Sequence, residues 1–257
     1  MKRRQKICSL LLLFLSLAVL VFSLSKLIPI LMDYRGSEQT YESLKETCVE
    51  DLGDTSETEE EEKQEDWEKI HISFDELKKE NPDIVAWIRF DNTDQVAVDY
   101  PVLYSGDNET YLRHDIYGSY HIAGCIFLEG RNQPDFSDYH SIIYGHNMKN
   151  STMFGDLKKY KNQKDFYEKN PYFTVYTPES TYRYHIFSYY DAEETSDVYT
   201  VGYEPGERFQ DLLKKMTECS MKKTGVYPED TDRILTLSTC STDGEDKRFV
   251  IHAMRIN

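Results

Sequence analysis

From about Trp67 to Asn257 the sequence is divided into short runs rich in β-branched and aromatic residues, and this pattern limits the possible folds more than any other feature. Helices are predicted only after Ser73 and around residues 152–160 and 208–221. Many short strands and few helices predict a mostly-β barrel or sandwich, with a long helix before the last two strands. The predicted strands cover residues 85–90, 123–128, 141–144, 172–176, 182–190, 233–240 and 247–256.

An apolar run without charges near the N-terminus predicts a membrane span. Four cationic residues precede residues 7–24, which at 1.5 Å per residue reach about 27 Å, close to the thickness of a bilayer core. We therefore expect a cytoplasmic basic tail over residues 1–6, a transmembrane anchor over 7–32 and the rest of the chain outside the cell. The alternative is a cleaved signal peptide, although no clear small-residue cleavage site follows the run.

The polar stretch over residues 33–66 is expected to be a flexible acidic spacer in front of a folded domain over 67–257. Residues 50–66 hold ten acidic side chains and one lysine, which repel one another and leave almost nothing apolar to bury. The whole chain carries 30 Lys and Arg against 46 Asp and Glu, a net charge of −16. Such a balance argues against nucleic acid as a partner.

Candidate chemistry is concentrated at the ends of predicted strands. Cys240 ends one strand and Arg248 begins the next, so an antiparallel pairing would place a thiol and a guanidinium at the same turn and favour the thiolate. His146 follows an apolar strand and a glycine that would let the chain turn sharply. His252 is expected to be packed or at the surface of the last strand, and the other histidines to be solvated. By residue type alone, an ordinary buried cysteine with an unrelated surface arginine is the commoner arrangement.

Several segments resemble class B sortases. Tyr144-Gly-His-Asn147, Thr236-Leu-Ser-Thr-Cys240 and Arg248-Phe-Val250 are similar to the catalytic histidine, cysteine and arginine segments of that family. Similar sequence also occurs in Asn81-Pro-Asp-Ile-Val-Ala-Trp-Ile88, Asp99-Tyr-Pro-Val102, Asp107-Asn-x-x-Tyr-Leu112 and Gly124-Cys-Ile-Phe-Leu128. The segments occur in the family's order and cover nearly everything beyond the acidic stretch.

The resemblance implies a closed sortase-like β-barrel and a membrane-anchored cysteine transpeptidase of Gram-positive bacteria. By matching position, Cys240 is the expected nucleophile, His146 the general acid and base, and Arg248 the cation that orients the substrate or stabilises the transition state. Neighbouring residues are expected to line the substrate groove: Tyr144, Asn147, Ser238 and Thr239. No cofactor and no metal ligand is expected at the site, and metal dependence stays open, since no acidic cluster has the spacing of a calcium-binding loop.

The expected substrates are surface proteins with a C-terminal sorting signal of the Asn-Pro-x-Thr-Asn or Pro-x-Thr-Gly type. The enzyme would cleave after Thr through a thioester and transfer the protein to an amine of peptidoglycan or of its lipid-linked precursor. Two other functions fit parts of the sequence: an extracytoplasmic Cys/His peptidase that acts by hydrolysis, and a non-catalytic surface adhesin. The adhesin would explain the anchor and spacer but not the Cys240, His146 and Arg248 segments.

Overall fold

The computed structural model describes residues 2–52, 66–240 and 246–257. The chain divides into two compact units, Met1–Glu42 and Ser43–Asn257. Helix α1, Lys2–Cys48, forms the first unit and continues into the second. Within it, the 19-residue stretch Leu10–Ile28 is apolar apart from three serines and Lys26 and is long enough to cross a membrane, and none of it is buried against protein. This helix is therefore a candidate membrane span.

The folded unit begins earlier than the sequence predicts, because part of the expected spacer has regular structure. Leu44 and Cys48 lie one turn apart on α1 and are buried. Strand β1, Val49–Asp51, then pairs antiparallel with β2, Ile70–Ile72. Apolar residues at helical spacing thus outweigh the polar composition of this stretch. Most of the acidic run, residues 53–65, lies outside the described residues.

The second unit is built around a closed eight-stranded barrel, which confirms the predicted mostly-β fold. Its strand order is β10-β8-β7-β3-β4-β5-β6-β9, and β9 closes the ring on β10. The strands are β3 (Ile84–Phe90), β4 (Asp99–Leu103), β5 (Ile126–Leu128), β6 (His140–Tyr144), β7 (Tyr172–Tyr176), β8 (Thr181–Glu193), β9 (Ile234–Cys240) and β10 (Lys247–Arg255). The helices are α2 (Phe74–Glu80), α3 (Lys159–Asn162), α4 (Phe166–Lys169) and α5 (Glu207–Cys219), with 3₁₀ turns at Asp66–Lys69, Thr110–Leu112, Gly155–Lys158 and Asp197–Tyr199.

All seven predicted strand segments overlap observed strands, and α5 occupies the predicted position of the long helix. Its apolar face includes Phe209, Leu212 and Met216, which are buried in one cluster with Val250 of β10 and Phe187 of β8. The barrel wall beside α5 is therefore covered on its outer side. This packing fixes β8, β9 and β10 as a rigid support for whatever lies at their ends.

Most strand pairs are antiparallel, but β6 runs parallel to β9. In this pair Tyr144 lies opposite Ser238, and the Gly145 N–H continues the ladder by donating to the Ser238 carbonyl at 3.1 Å. The chain beyond β6 and the chain beyond β9 consequently leave the barrel at the same rim.

Below this rim, a chain of hydrogen bonds crosses three adjacent strands. The Thr236 hydroxyl lies 2.8 Å from His140 Nε2 and 2.8 Å from His252 Nδ1, and all three residues are fully buried. His140 Nδ1 lies 2.9 Å from the Thr200 carbonyl. The sequence predicts a solvated His140; the structure instead buries it between β9 and the segment that leads to α5.

Candidate active site

Three strand ends meet at one rim of the barrel. Cys240 is the last residue of β9, and its Cα pairs directly with that of Arg248 at the start of β10. His146 lies two residues beyond β6, the parallel neighbour of β9. The fold thus brings together at this rim backbone positions that are about a hundred residues apart in sequence. The Cys240 side chain and residues 241–245 lie outside the described part of the chain.

A cavity of about 360 Å³ opens at this rim, and the side chains of His146 and Arg248 both line it. Three of the four predicted groove residues, Tyr144, Ser238 and Thr239, line it as well. Asn147 does not line it; its backbone bridges to Met153 instead. Sequence reasoning missed other lining residues: Asn108, Leu112, Phe127, Glu129, Arg131, Glu194 and Tyr199.

The sequence predicts a sharp turn at Gly145, but the structure shows another reason for a glycine before His146. Its backbone is not in the left-handed region. A Cβ at this position would lie 2.4 Å from Ile126 Cδ1 and 2.7 Å from the Phe154 ring. Glycine is required here because the backbone packs directly against apolar side chains, and this contact fixes where His146 emerges.

The His146 ring is oriented by the backbone. Its Nε2 lies 2.8 Å from the Leu112 carbonyl, and since a carbonyl only accepts, Nε2 carries the hydrogen and neutral Nδ1 does not. Burial lowers the pKa of His146, and the positive charges of Arg113 and Arg248 lower this pKa further, while the bond to Leu112 opposes the shift. The resting imidazole is therefore neutral near pH 7 and able to accept a proton.

The Arg248 guanidinium is held at the edge of the cavity. It forms an ion pair with Glu194 just beyond β8, and its Nη1 donates to the Lys247 carbonyl at 3.1 Å. The Arg248 side chain keeps about a third of its surface exposed (30%). Because it is also permanently charged, it can donate hydrogen bonds to an oxyanion that forms next to Cys240.

The wall of the cavity also contains a buried carboxylate. Glu129 follows β5 and is fully buried. Its Oε1 accepts from Arg131 Nε at 2.6 Å, and its Oε2 accepts from the Tyr144 hydroxyl and the Asn108 amide, both at 2.8 Å. Burial alone would raise the pKa of Glu129, but these three donors outweigh it and leave the pKa lowered. The site thus contains a stable internal anion.

Comparison with known proteins agrees with the barrel fold. The family model for the sortase domain matches residues 92–256. Sortase B of Listeria monocytogenes is 40% identical over 187 residues, covering 71% of this chain and 74% of its own, and sortase B of Staphylococcus aureus is 31% identical over 188 residues, covering 72% and 75%. The crystal structure of B. anthracis sortase B superposes with a TM-score of 0.71 at 29% identity, over 89% of this chain and all of its own.

The closed barrel and the matched sequence define a cysteine transpeptidase, and the chain belongs to the sortase family. Its relatives place it in class B of that family. A structure of a Staphylococcus aureus sortase B–substrate complex superposes with a TM-score of 0.66 at 31% identity, over 72% of this chain and 85% of its own.

Proposed function

We propose that Cys240, His146 and Arg248 carry out the transpeptidation, and that the substrate is a C-terminal sorting signal cleaved after Thr. The observation that supports this most strongly is the shared rim: the His146 ring and the Arg248 guanidinium line one cavity, and strand register sets Cys240 opposite Arg248.

The first half of the reaction forms a thioester. Neutral His146 accepts the proton of the Cys240 thiol, and the thiolate attacks the carbonyl carbon of the Thr residue. Negative charge then develops on the carbonyl oxygen, where the Arg248 guanidinium donates hydrogen bonds. When the tetrahedral intermediate collapses, the C–N bond breaks and His146 returns its proton to the leaving amine. The acyl group remains on the sulfur.

The second half transfers the acyl group to an acceptor amine. The amine attacks the thioester carbonyl and His146 accepts the proton that the amine loses. As the C–S bond breaks, His146 passes this proton to the leaving sulfur, which regenerates the Cys240 thiol and the neutral imidazole. We infer an acceptor on peptidoglycan or on its lipid-linked precursor, and sorting signals of the Asn-Pro-x-Thr-Asn or Pro-x-Thr-Gly type. The substrate complex of the Staphylococcus aureus relative, which superposes on this chain, supports a substrate site on this fold.

We also propose that α1 anchors the enzyme with its N-terminus in the cytoplasm. Basic residues precede the apolar stretch Leu10–Ile28, and positive charge is retained on the cytoplasmic side of membranes. Residues 43–257 would then lie outside the cell, where sorting signals and wall precursors meet. Protease accessibility of tags placed at each terminus in intact cells tests this orientation.

The test of the mechanism uses the full chain in detergent micelles with a peptide library of the form Asn-Pro-x-Thr-Asn. We expect cleavage after Thr, and with an added amine a product joined to that amine, both read by mass spectrometry. Cys240→Ala should abolish both products, and His146→Ala should reduce them nearly as far. Cleavage retained by Cys240→Ala would remove the nucleophile assignment, while cleavage that yields only the free acid at saturating amine would identify a hydrolase.

A further inference from the structure

Glu129 has no part in the acyl transfer described above, yet the cavity is organised around it. The carboxylate has no exposed surface and directly follows β5, whose last residue, Leu128, pairs with Ile143 of β6. Isolated carboxylates are costly to bury, so a fully buried one requires several donors aimed at it. The structure supplies these donors from separate segments of the chain.

Each donor to Glu129 is a residue of the cavity wall. Tyr144 comes from β6, Asn108 from the segment after β4, and Arg131 from the turn after Glu129 itself. The Asn108 amide is fixed at both ends, because its Oδ1 also accepts from the Gly130 N–H at 2.8 Å. One carboxylate therefore sets the position of three side chains that otherwise share no element.

The same network extends to the far wall of the cavity. Arg131 Nη2 donates to the Tyr199 carbonyl at 3.1 Å, and the Tyr199 ring lies nearly parallel to the Tyr144 ring, with centroids 6.5 Å apart. The Tyr199 hydroxyl lies 3.1 Å from Ser238 Oγ, two residues before Cys240. Through Arg131 and Tyr144, Glu129 thus fixes the pair of aromatic side chains beside the strand that ends at Cys240.

We propose that Glu129 is a positioning residue that holds the Asn108, Tyr144 and Tyr199 wall in the shape that binds the sorting signal. This inference rests on the proposed function. Its effect falls on substrate binding more than on the chemical step, because His146 is oriented separately by the Leu112 carbonyl and Arg248 by Glu194. A glutamine at 129 has nearly the same shape but replaces one accepting oxygen with an amide NH₂ group. That group would face a side chain that donates to Glu129 in the wild type, and the substitution also removes the negative charge that pairs with Arg131.

The test measures steady-state kinetics of the full chain in detergent micelles, with the best-cleaved member of the Asn-Pro-x-Thr-Asn library. For Glu129→Gln we expect KM to rise about tenfold while kcat changes less than about threefold. Glu193→Gln is the matched control, because this carboxylate is exposed (63%) and lies outside the cavity. Its KM should equal that of the wild type. Alkylation of Cys240 by iodoacetamide should proceed at the wild-type rate in both variants, which separates a wall effect from a damaged nucleophile.

A second variant keeps the inference testable if Glu129→Gln does not fold. Tyr144→Phe removes one donor to Glu129 and leaves the buried charge with Arg131 and Asn108, so KM should rise by a smaller factor, about threefold. If Glu129→Gln folds, an unchanged KM in that variant overturns the inference. If it does not fold, an unchanged KM in Tyr144→Phe overturns the inference. So does a kcat loss as large as the KM change. By contrast, activity that survives Cys240→Ala would overturn the proposed function and not the role of Glu129.

Discussion

Thr236→Val should destabilise the barrel strongly, because the Thr236 hydroxyl joins two buried imidazoles. The Thr200 carbonyl only accepts, so His140 carries its hydrogen on Nδ1 and presents an unprotonated Nε2 to Thr236. The threonine hydroxyl must donate to that nitrogen, and its oxygen then accepts from the Nδ1–H of His252. Valine has the same shape but can make neither bond.

The magnitude follows from the two groups that lose their partner. A buried donor or acceptor left without a hydrogen bond costs about 1–3 kcal/mol, so the His140 and His252 nitrogens together cost about 2–6 kcal/mol. The methyl group that replaces the hydroxyl returns about 1 kcal/mol through burial of apolar surface. We therefore expect the free energy of unfolding to fall by about 1–5 kcal/mol.

The assay is equilibrium unfolding in urea, followed by tryptophan fluorescence. Both tryptophans, Trp67 and Trp87, belong to the second unit, so the signal reports the barrel and not the N-terminal helix. The matched control is Thr239→Val on the same strand. Thr239 is also buried, but its hydroxyl meets no partner among the described residues, so valine there should leave stability unchanged or raise it slightly. Equal losses in the two variants would refute the reasoning.

Three further predictions concern the barrel and its rim. Burial lowers the pKa of His140 from 6.5 to about 4, so between these pH values the unfolded chain binds a proton that the folded chain does not. At about 1.4 kcal/mol per pKa unit, His140 alone should remove about 3 kcal/mol of stability as the pH falls from 6.5 to 4, with no such loss above 6.5. In urea unfolding, His140→Gln should reduce this pH dependence and leave the part due to His252, whose pKa burial also lowers. Gly145→Ala should lower the free energy of unfolding by about 1–3 kcal/mol, because the new methyl group meets the Ile126 and Phe154 side chains, and it should lower kcat by displacing His146. A variant with the kcat and thermal stability of the wild type would contradict this prediction. Arg248→Lys should lower kcat/KM about tenfold or more despite keeping the charge, because lysine lacks the planar fork of donors, and a wild-type value in the peptide assay would contradict this.

The strands of the barrel were predictable because most are continuous runs of β-branched and aromatic residues. β4 was missed because Pro101 lies inside it, and proline counts against a central strand. It is tolerated because the pairing of β4 with β5 begins only at Val102. The early start of the folded unit was missed for a similar reason, since many polar residues of α1 obscure the buried positions Leu44 and Cys48.

The site was predictable only where it depends on strand ends. The placement of Cys240 opposite Arg248 follows from two consecutive strands, so local sequence was sufficient. Glu129 and its donors left no such signal, because Asn108 and Tyr144 join it from segments 21 and 15 residues away. The sequence does contain an acidic residue directly after an apolar run, but nothing local indicates that it is buried. Hydrogen-bond networks of this kind depend on tertiary packing and are visible only in the fold.

The Thr236–His252 hydrogen bond has a consequence for how such an enzyme can diversify. These two residues are direct partners in the β9–β10 pairing, four positions in from Cys240 and Arg248. A slip of one residue between the strands would break this buried bond and turn alternate side chains to the wrong face. The register that sets Cys240 opposite Arg248 is therefore secured by a buried bond four residues below the rim. Side chains at the rim can change without disturbing that register.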